Sequence, residues 1–160
     1  MKRGERGFTL IEVIVSVAIM SAIVAGVSMT TATFLTHHQR STSQNVVLTQ
    51  VQNAGYWISR DVQVAETVTP GGSSGFPLTL VIPVDTDPDN DYSVSYSFDS
   101  DKLIRQVNGS SNIVIAEYIV VDDTSFSILV SENYEFTIKA SLDETAVERS
   151  YEIAQRIGST

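Results

Sequence analysis

The sequence predicts an α+β fold: a long N-terminal helix, its first half transmembrane and its second half amphipathic, packed on an antiparallel β-sheet. Three observations predict it. Residues 8–35 form an apolar run whose only ionisable side chain is Glu12. Apolar residues then recur at Val47, Val51, Ala54, Ile58, Val62 and Ala65, with steps of three and four that mark one helical face. Beyond Pro70 the pattern changes to short alternating segments separated by turn residues.

The chain opens on a short basic leader, Met1-Lys-Arg-Gly-Glu-Arg-Gly7. The apolar run after it is about 42 Å long as a helix, at 1.5 Å per residue. A hydrocarbon core of about 30 Å is spanned by about 20 residues, so the run is long enough. It is too long for a secretory signal core and lacks an Ala-x-Ala-like end. Lys2, Arg3 and Arg6 precede it and only Arg40 follows closely. The positive-inside rule therefore predicts a cytoplasmic N-terminus and an outer C-terminal domain.

The helical pattern continues without proline from about residue 8 to about residue 67, with Gly55 as one tolerated break. Pro70-Gly-Gly-Ser-Ser-Gly75 reads as the loop that ends it. Strands are expected at residues 78–82, 92–98, 103–107, 112–121, 125–130 and 134–142, with a last, short one at 151–157. Residues 92–98 place Tyr92, Val94, Tyr96 and Phe98 on one face. Phe126, Ile128 and Val130 alternate likewise. Asp99-Ser-Asp101 and Asn108-Gly109 are the expected hairpin turns. Three segments follow: a leader at 1–7, a transmembrane and assembly helix at 8–35, and a globular extracytoplasmic domain at 36–160.

Composition excludes several classes. Ten Lys and Arg face nineteen Asp and Glu, a formal net charge of −9. Such a domain repels phosphate backbones, so no nucleic-acid partner is predicted. There are no cysteines, so disulfides and thiolate metal sites are excluded. Gly71-Gly-Ser-Ser-Gly75 has the letters of a nucleophile elbow but follows a helix, and no histidine lies beyond His38. His37 and His38 are adjacent and diverge by about 100° on a helix, which suits no shared metal. No enzyme activity is predicted. Asp85, Asp87, Asp89 and Asp91 alternate as the first ligands of a calcium loop do. Position twelve of that loop is Tyr96, however, so a solvated acidic loop is the favoured reading. Arg60 and Asp61 are expected to form a local surface or sheet-edge ion pair, and Tyr56 and Trp57 to pack in the core or a groove.

Glu12 needs a purpose, because a charge in a spanning helix is costly. At Gly7-Phe8-Thr9-Leu10-Ile11-Glu12, after a basic leader and before a long apolar helix, the chain resembles the prepilin family, the precursors of type IV pilins and type II secretion pseudopilins. The resemblance implies a pilin-like fold and cleavage by a prepilin peptidase between Gly7 and Phe8. It also implies N-methylation of Phe8 and assembly through the helix, with Glu12 meeting the Phe8 amine of a neighbouring subunit. It implies an inner-membrane assembly platform and other pilin subunits as partners; no cofactor is expected apart from calcium at the acidic loop, which some pseudopilins bind. Gln52 with Tyr56-Trp57-Ile-Ser-Arg60-Asp61, Val94-Ser-Tyr96 with Leu103-Ile-Arg105, and Ala146-Val-Glu-Arg149-Ser-Tyr151 resemble J-type minor pseudopilins and related minor pilins. The apolar half lacks the proline that major pilins often carry, which points towards a minor or tip subunit. The rival expectation is a single-pass protein with an extracytoplasmic, calcium-dependent binding domain.

Overall fold

The computed structural model describes residues 9–84, 90–130 and 132–156. The chain divides into two compact units, Met1–Ser41 and Thr42–Thr160. Helix α1 runs over Leu10–Val64, slightly inside the expected bounds. It is followed by strands β1 (Thr67–Gly71), β2 (Gly75–Ile82), β3 (Tyr92–Asp99), β4 (Lys102–Val107) and β5 (Ile113–Ala116). A 3-10 turn (Val121–Asp123) leads to β6 (Ser125–Val130), β7 (Asn133–Leu142) and β8 (Thr145–Ala154). The fold is α+β with every strand pair antiparallel.

In place of the single expected sheet there are two, one ordered β1-β2-β3-β4-β5 and one ordered β6-β7-β8. The break falls where a strand was expected over 112–121. That segment stops at Ala116 because Tyr118 adopts φ 63°, a conformation that ends an extended run. Tyr118 and its neighbours instead tie the sheets together. Ser141 N–H donates to Tyr118 O at 2.8 Å, and Ile119 bridges Ala140.

The expected loop at 70–75 is an ordered hairpin end, with Gly71 opposite Gly75. Gly75 takes φ 87°, and a Cβ there would overlap the Phe126 carbonyl, so glycine lets this turn lie against β6. Asn108-Gly109 forms the expected tight turn, both residues at positive φ, with Ser110 N–H donating to Val107 O at 2.8 Å. The last strand begins at Thr145 rather than 151, because Asp143 at φ 55° turns β7 straight back into β8. Residue 157, the expected end of that strand, lies outside the described residues.

The core of the second unit lies between the α1 stripe and both sheets. Val47, Val51, Ala54, Ile58, Val62 and Ala65 are all buried, as their spacing predicts. They meet Leu78, Leu80, Val94, Tyr96 and Leu103 from one sheet, and Phe136, Ile138 and Ile153 from the other, in one cluster. Burying each such aliphatic side chain contributes about 1.5–3 kcal/mol. The β6 alternation holds only at its start. Phe126 is buried, but Ile128 and Val130 are exposed, a correction to the inward face expected for them.

Gly55 now has a reason. The Tyr151 ring of β8 lies against the helix where a Gly55 Cβ would sit, and its hydroxyl donates to Val51 O at 3.3 Å. Alanine normally stabilises a helix interior by up to about 1 kcal/mol over glycine. Here Gly55→Ala is expected to destabilise by about 1–3 kcal/mol through overpacking. In a Tyr151→Ala background the same change should turn neutral or stabilising. Thermal unfolding of the four proteins of that cycle is the check, and equal effects in both backgrounds would refute the contact.

Candidate functional site

The N-terminal part of α1 is built for a solvent other than water. Every residue from Leu10 to Leu35 is exposed, including Ile11, Val13, Ile14, Val17, Ile19, Met20, Ile23, Val24, Val27 and Phe34. Among the described residues this is the helix long and apolar enough to cross a membrane, and none of its apolar window is buried. A helix satisfies its backbone internally, which hydrocarbon demands. Its hydroxyls obey the same demand. Ser16, Ser21, Ser28, Thr30, Thr31, Thr33 and Thr36 each donate to the carbonyl four residues earlier, at 2.7–3.1 Å. The segment thus presents lipid with no unsatisfied hydroxyl.

Glu12 is the exception. It lies in the first helical turn, where the positive end of the helix dipole favours an anion. Thr9 precedes the helix, and Glu12 N–H approaches Thr9 Oγ1 at 3.4 Å and Thr9 O at 3.1 Å. The order Thr9-x-x-Glu12 has the spacing of a capping box, a helix-start signal legible in the sequence but missed there. Among the described residues the Glu12 carboxylate has no ion-pair partner. Gly7 and Phe8 lie outside the described residues.

Residues 2–28 match the prokaryotic N-terminal methylation motif. The chain carries a prepilin-type N-terminus. The motif supports a type IV pilin or pseudopilin precursor and implies processing by prepilin peptidase and assembly with other pilins, and with the apolar helix it supports membrane anchoring. A long N-terminal helix with antiparallel sheets on its distal half is the pilin-like architecture. No curated protein and no solved structure matches the chain.

In the second unit, two scattered segments of the sequence converge. Tyr96 and Arg105 are cross-strand partners of β3 and β4, set opposite each other by the Ser100-Asp101 turn. Both reach Asp61 on α1. Tyr96 Oη donates to Asp61 Oδ2 at 2.6 Å, and Arg105 Nε donates to the same oxygen at 2.7 Å. Asp61 is 1% exposed. The expected surface pair of Arg60 with Asp61 is therefore corrected. Successive helical residues diverge by about 100°, so Asp61 turns inward while Arg60 stays outside. Arg60 instead lies 5.2 Å from the Trp57 ring centroid, and Arg105 lies 5.1 Å from it. Trp57 packs half-buried against the core, whereas Tyr56 is exposed, against expectation.

Burial, then the Asp61 charge and hydrogen bond, push the Tyr96 phenol far above its ordinary value. For Arg105, burial opposes the charge, and the hydrogen bond and charge of Asp61 more than offset it, so its pKa rises. Asp85, Asp87 and Asp89 lie outside the described residues. Asp91 Oδ1 is buried and has no hydrogen-bond partner among the described residues.

Asp61→Ala is expected to destabilise the second unit by about 3–5 kcal/mol, because Arg105, 11% exposed, loses its ion-pair partner and Tyr96 its acceptor. Equilibrium unfolding measures this, and a loss below about 1 kcal/mol, typical of an exposed pair, would contradict it. The phenol adds a pH signature. Its folded pKa is raised above the unfolded value of 10.0, so its contribution is complete below about pH 10 and is lost as pH climbs beyond it. Tyr134 and Tyr151 are raised by burial too. Tyr96→Phe should therefore make the alkaline loss of stability shallower without abolishing it.

Proposed function

We propose that the chain is a minor pilin or minor pseudopilin, a structural subunit of a type IV pilus-like filament or type II secretion pseudopilus. The observation that carries this is the exposed apolar helix with self-satisfied hydroxyls and one uncompensated carboxylate at its start. Such a surface is suited to lipid first and to sister helices later. The peptidase cuts between Gly7 and Phe8 and methylates Phe8. Glycine at the cut permits close approach of the backbone in a protease cleft. Cleavage creates a cationic amine on Phe8, four residues before Glu12. In a low-dielectric helix bundle Glu12 then pairs with the Phe8 amine of a neighbour and sets the axial step. The leader stays in the cytoplasm, the outer unit faces away from it, and the assembly platform engages the anchored subunit. The chain is a substrate of processing chemistry and performs none.

The J-type branch is supported by the sites at which it resembles this chain. Asp61, Tyr96 and Arg105 come from separate resembling segments and share one oxygen. Tyr151, from the third, packs on Gly55.

Intact-mass measurement of the chain from its native membrane should find residues 1–7 missing and one methyl group added. An unchanged precursor mass, in cells with an active peptidase, would sink this reading. Glu12→Ala should be inserted and cut normally but enter filaments less often, and normal incorporation would remove the pairing role.

A second reading, a membrane-anchored binding domain that takes calcium at Asp85, Asp87, Asp89 and Asp91, is favoured by the unpartnered Asp91 oxygen. A ligand of the native state raises the melting temperature by mass action. Excess calcium should then raise it in the parent and not in Asp91→Asn. No rise in the parent would remove calcium from the reading.

A further inference from the structure

The two sheets have four outer edges, and three are blunted in recognisable ways. β1 carries Pro70, which cannot donate to an added strand. β5 is only four residues long and adjoins a register shift. β8 carries Glu148, Arg149 and Glu152. β6, with the sequence Ser-Phe-Ser-Ile-Leu-Val, has no charge, no proline and no glycine, and its register shift falls only at its far end, between Ile128 and Val130. It is rich in β-branched and aromatic residues, the composition of a segment that recruits another strand.

The outer edge of β6 is half used already. Phe126 N–H donates outward to Ser74 O at 2.8 Å, away from β7. Backbone groups of an antiparallel strand alternate in direction, so Ile128 N–H also faces outward. Among the described residues no strand pairs with the outer edge there. Ile128, Leu129 and Val130 are 58, 49 and 68% exposed. An apolar side-chain patch thus sits beside open backbone groups.

Charge decides what fits. Asp122 precedes the strand and Glu132 follows it, while Asp123 is paired with Lys139 at 2.7 Å. A second copy paired antiparallel around Ser127 would bring Asp122 towards Glu132 at both ends, and like charges facing each other destabilise. Residues 42–160 also hold six Lys and Arg against seventeen Asp and Glu, so two copies repel as whole units. We propose that the open half of β6 accepts an added strand from a different chain. That strand is extended, uncharged and β-branched, with lysine or arginine at its ends.

The test uses the full chain in detergent micelles with two peptides. Each has a core of alternating threonine and valine, flanked by lysines in one and by glutamates in the other. The lysine-flanked peptide should slow hydrogen exchange at the Ile128 amide saturably, and the glutamate-flanked one should bind about three- to ten-fold more weakly. Ile128→Pro, which removes the outward donor, and Ile128→Lys, a surface change that leaves the core intact, should both abolish the effect, while Ile128→Val keeps it. Equal binding of the two peptides, or retained binding in Ile128→Lys, would overturn the proposal. So would self-association of the parent chain that Ile128→Lys abolishes, since it would make a second copy the occupant.

Discussion

The second unit depends on one shared surface, the stripe that runs along α1 from Val47 to Val62 and closes at Ala65 just past the helix. Its two sheets have no ladder in common, and each is small for an independent core. The stripe gives both the same apolar partner. Polar bonds then fix where along the helix each sheet sits. The Asp61 carboxylate holds β3 and β4, through Tyr96 and Arg105. The end of β8 is held by Gln155, whose amide donates to the Ala65 and Glu66 carbonyls at 2.6 and 2.9 Å where the helix stops. Apolar burial supplies most of the attraction but is non-directional. A hydrogen-bonded carboxylate inside it makes any other register costly, because a shifted helix leaves a charge without its partners.

The helix was the most legible part of the sequence, because a 3.6-residue period leaves a pattern over many turns. Every residue of its stripe is buried, and Gly55 and Asp61 are buried beside them. The β3–β4 and Asn108-Gly109 turns were legible because turn chemistry is local. The division into two sheets was not. It rests on Tyr118 at positive φ, and nothing about a tyrosine announces that conformation. β1 was missed because Pro70 and the glycines around it read as loop, and an edge strand is where a proline is tolerated. The Asp61 site was half legible. Its residues stood out as separate fragments, but Arg60 beside Asp61 suggested a local pair. Only the tertiary fold brings Arg105, forty-four residues on, within reach.

The N-terminal segment shows why burial alone is a poor guide to an acid in a helix. At Glu12 two local effects reduce the cost of the charge: the helix dipole and the cap at Thr9. These explain how a carboxylate is tolerated at the start of a lipid-suited helix. They do not explain why one is present, since Thr9 alone would cap the turn and an apolar residue in place of Glu12 would enter lipid more cheaply. The excess is a charge that its own chain leaves uncompensated among the described residues. A partner for it must be a cation at the same depth. Under the proposed function that cation is the amine that cutting the leader would release, four residues before Glu12 in the sequence.

The same reasoning separates the chain's two kinds of apolar exposure. On α1 the exposed residues run all round the helix and carry no flanking selectivity beyond Glu12, as suits lipid and a crowd of similar helices. On β6 the exposure is confined to three residues and bracketed by acids. A bracket of one sign does little to oppose a neutral strand, opposes an identical one, and attracts a strand with basic ends. The first surface is therefore general and the second selective. In the proposed filament the two surfaces would divide the work: a helix that any sister subunit can meet, and a sheet edge that distinguishes which neighbour it is beside.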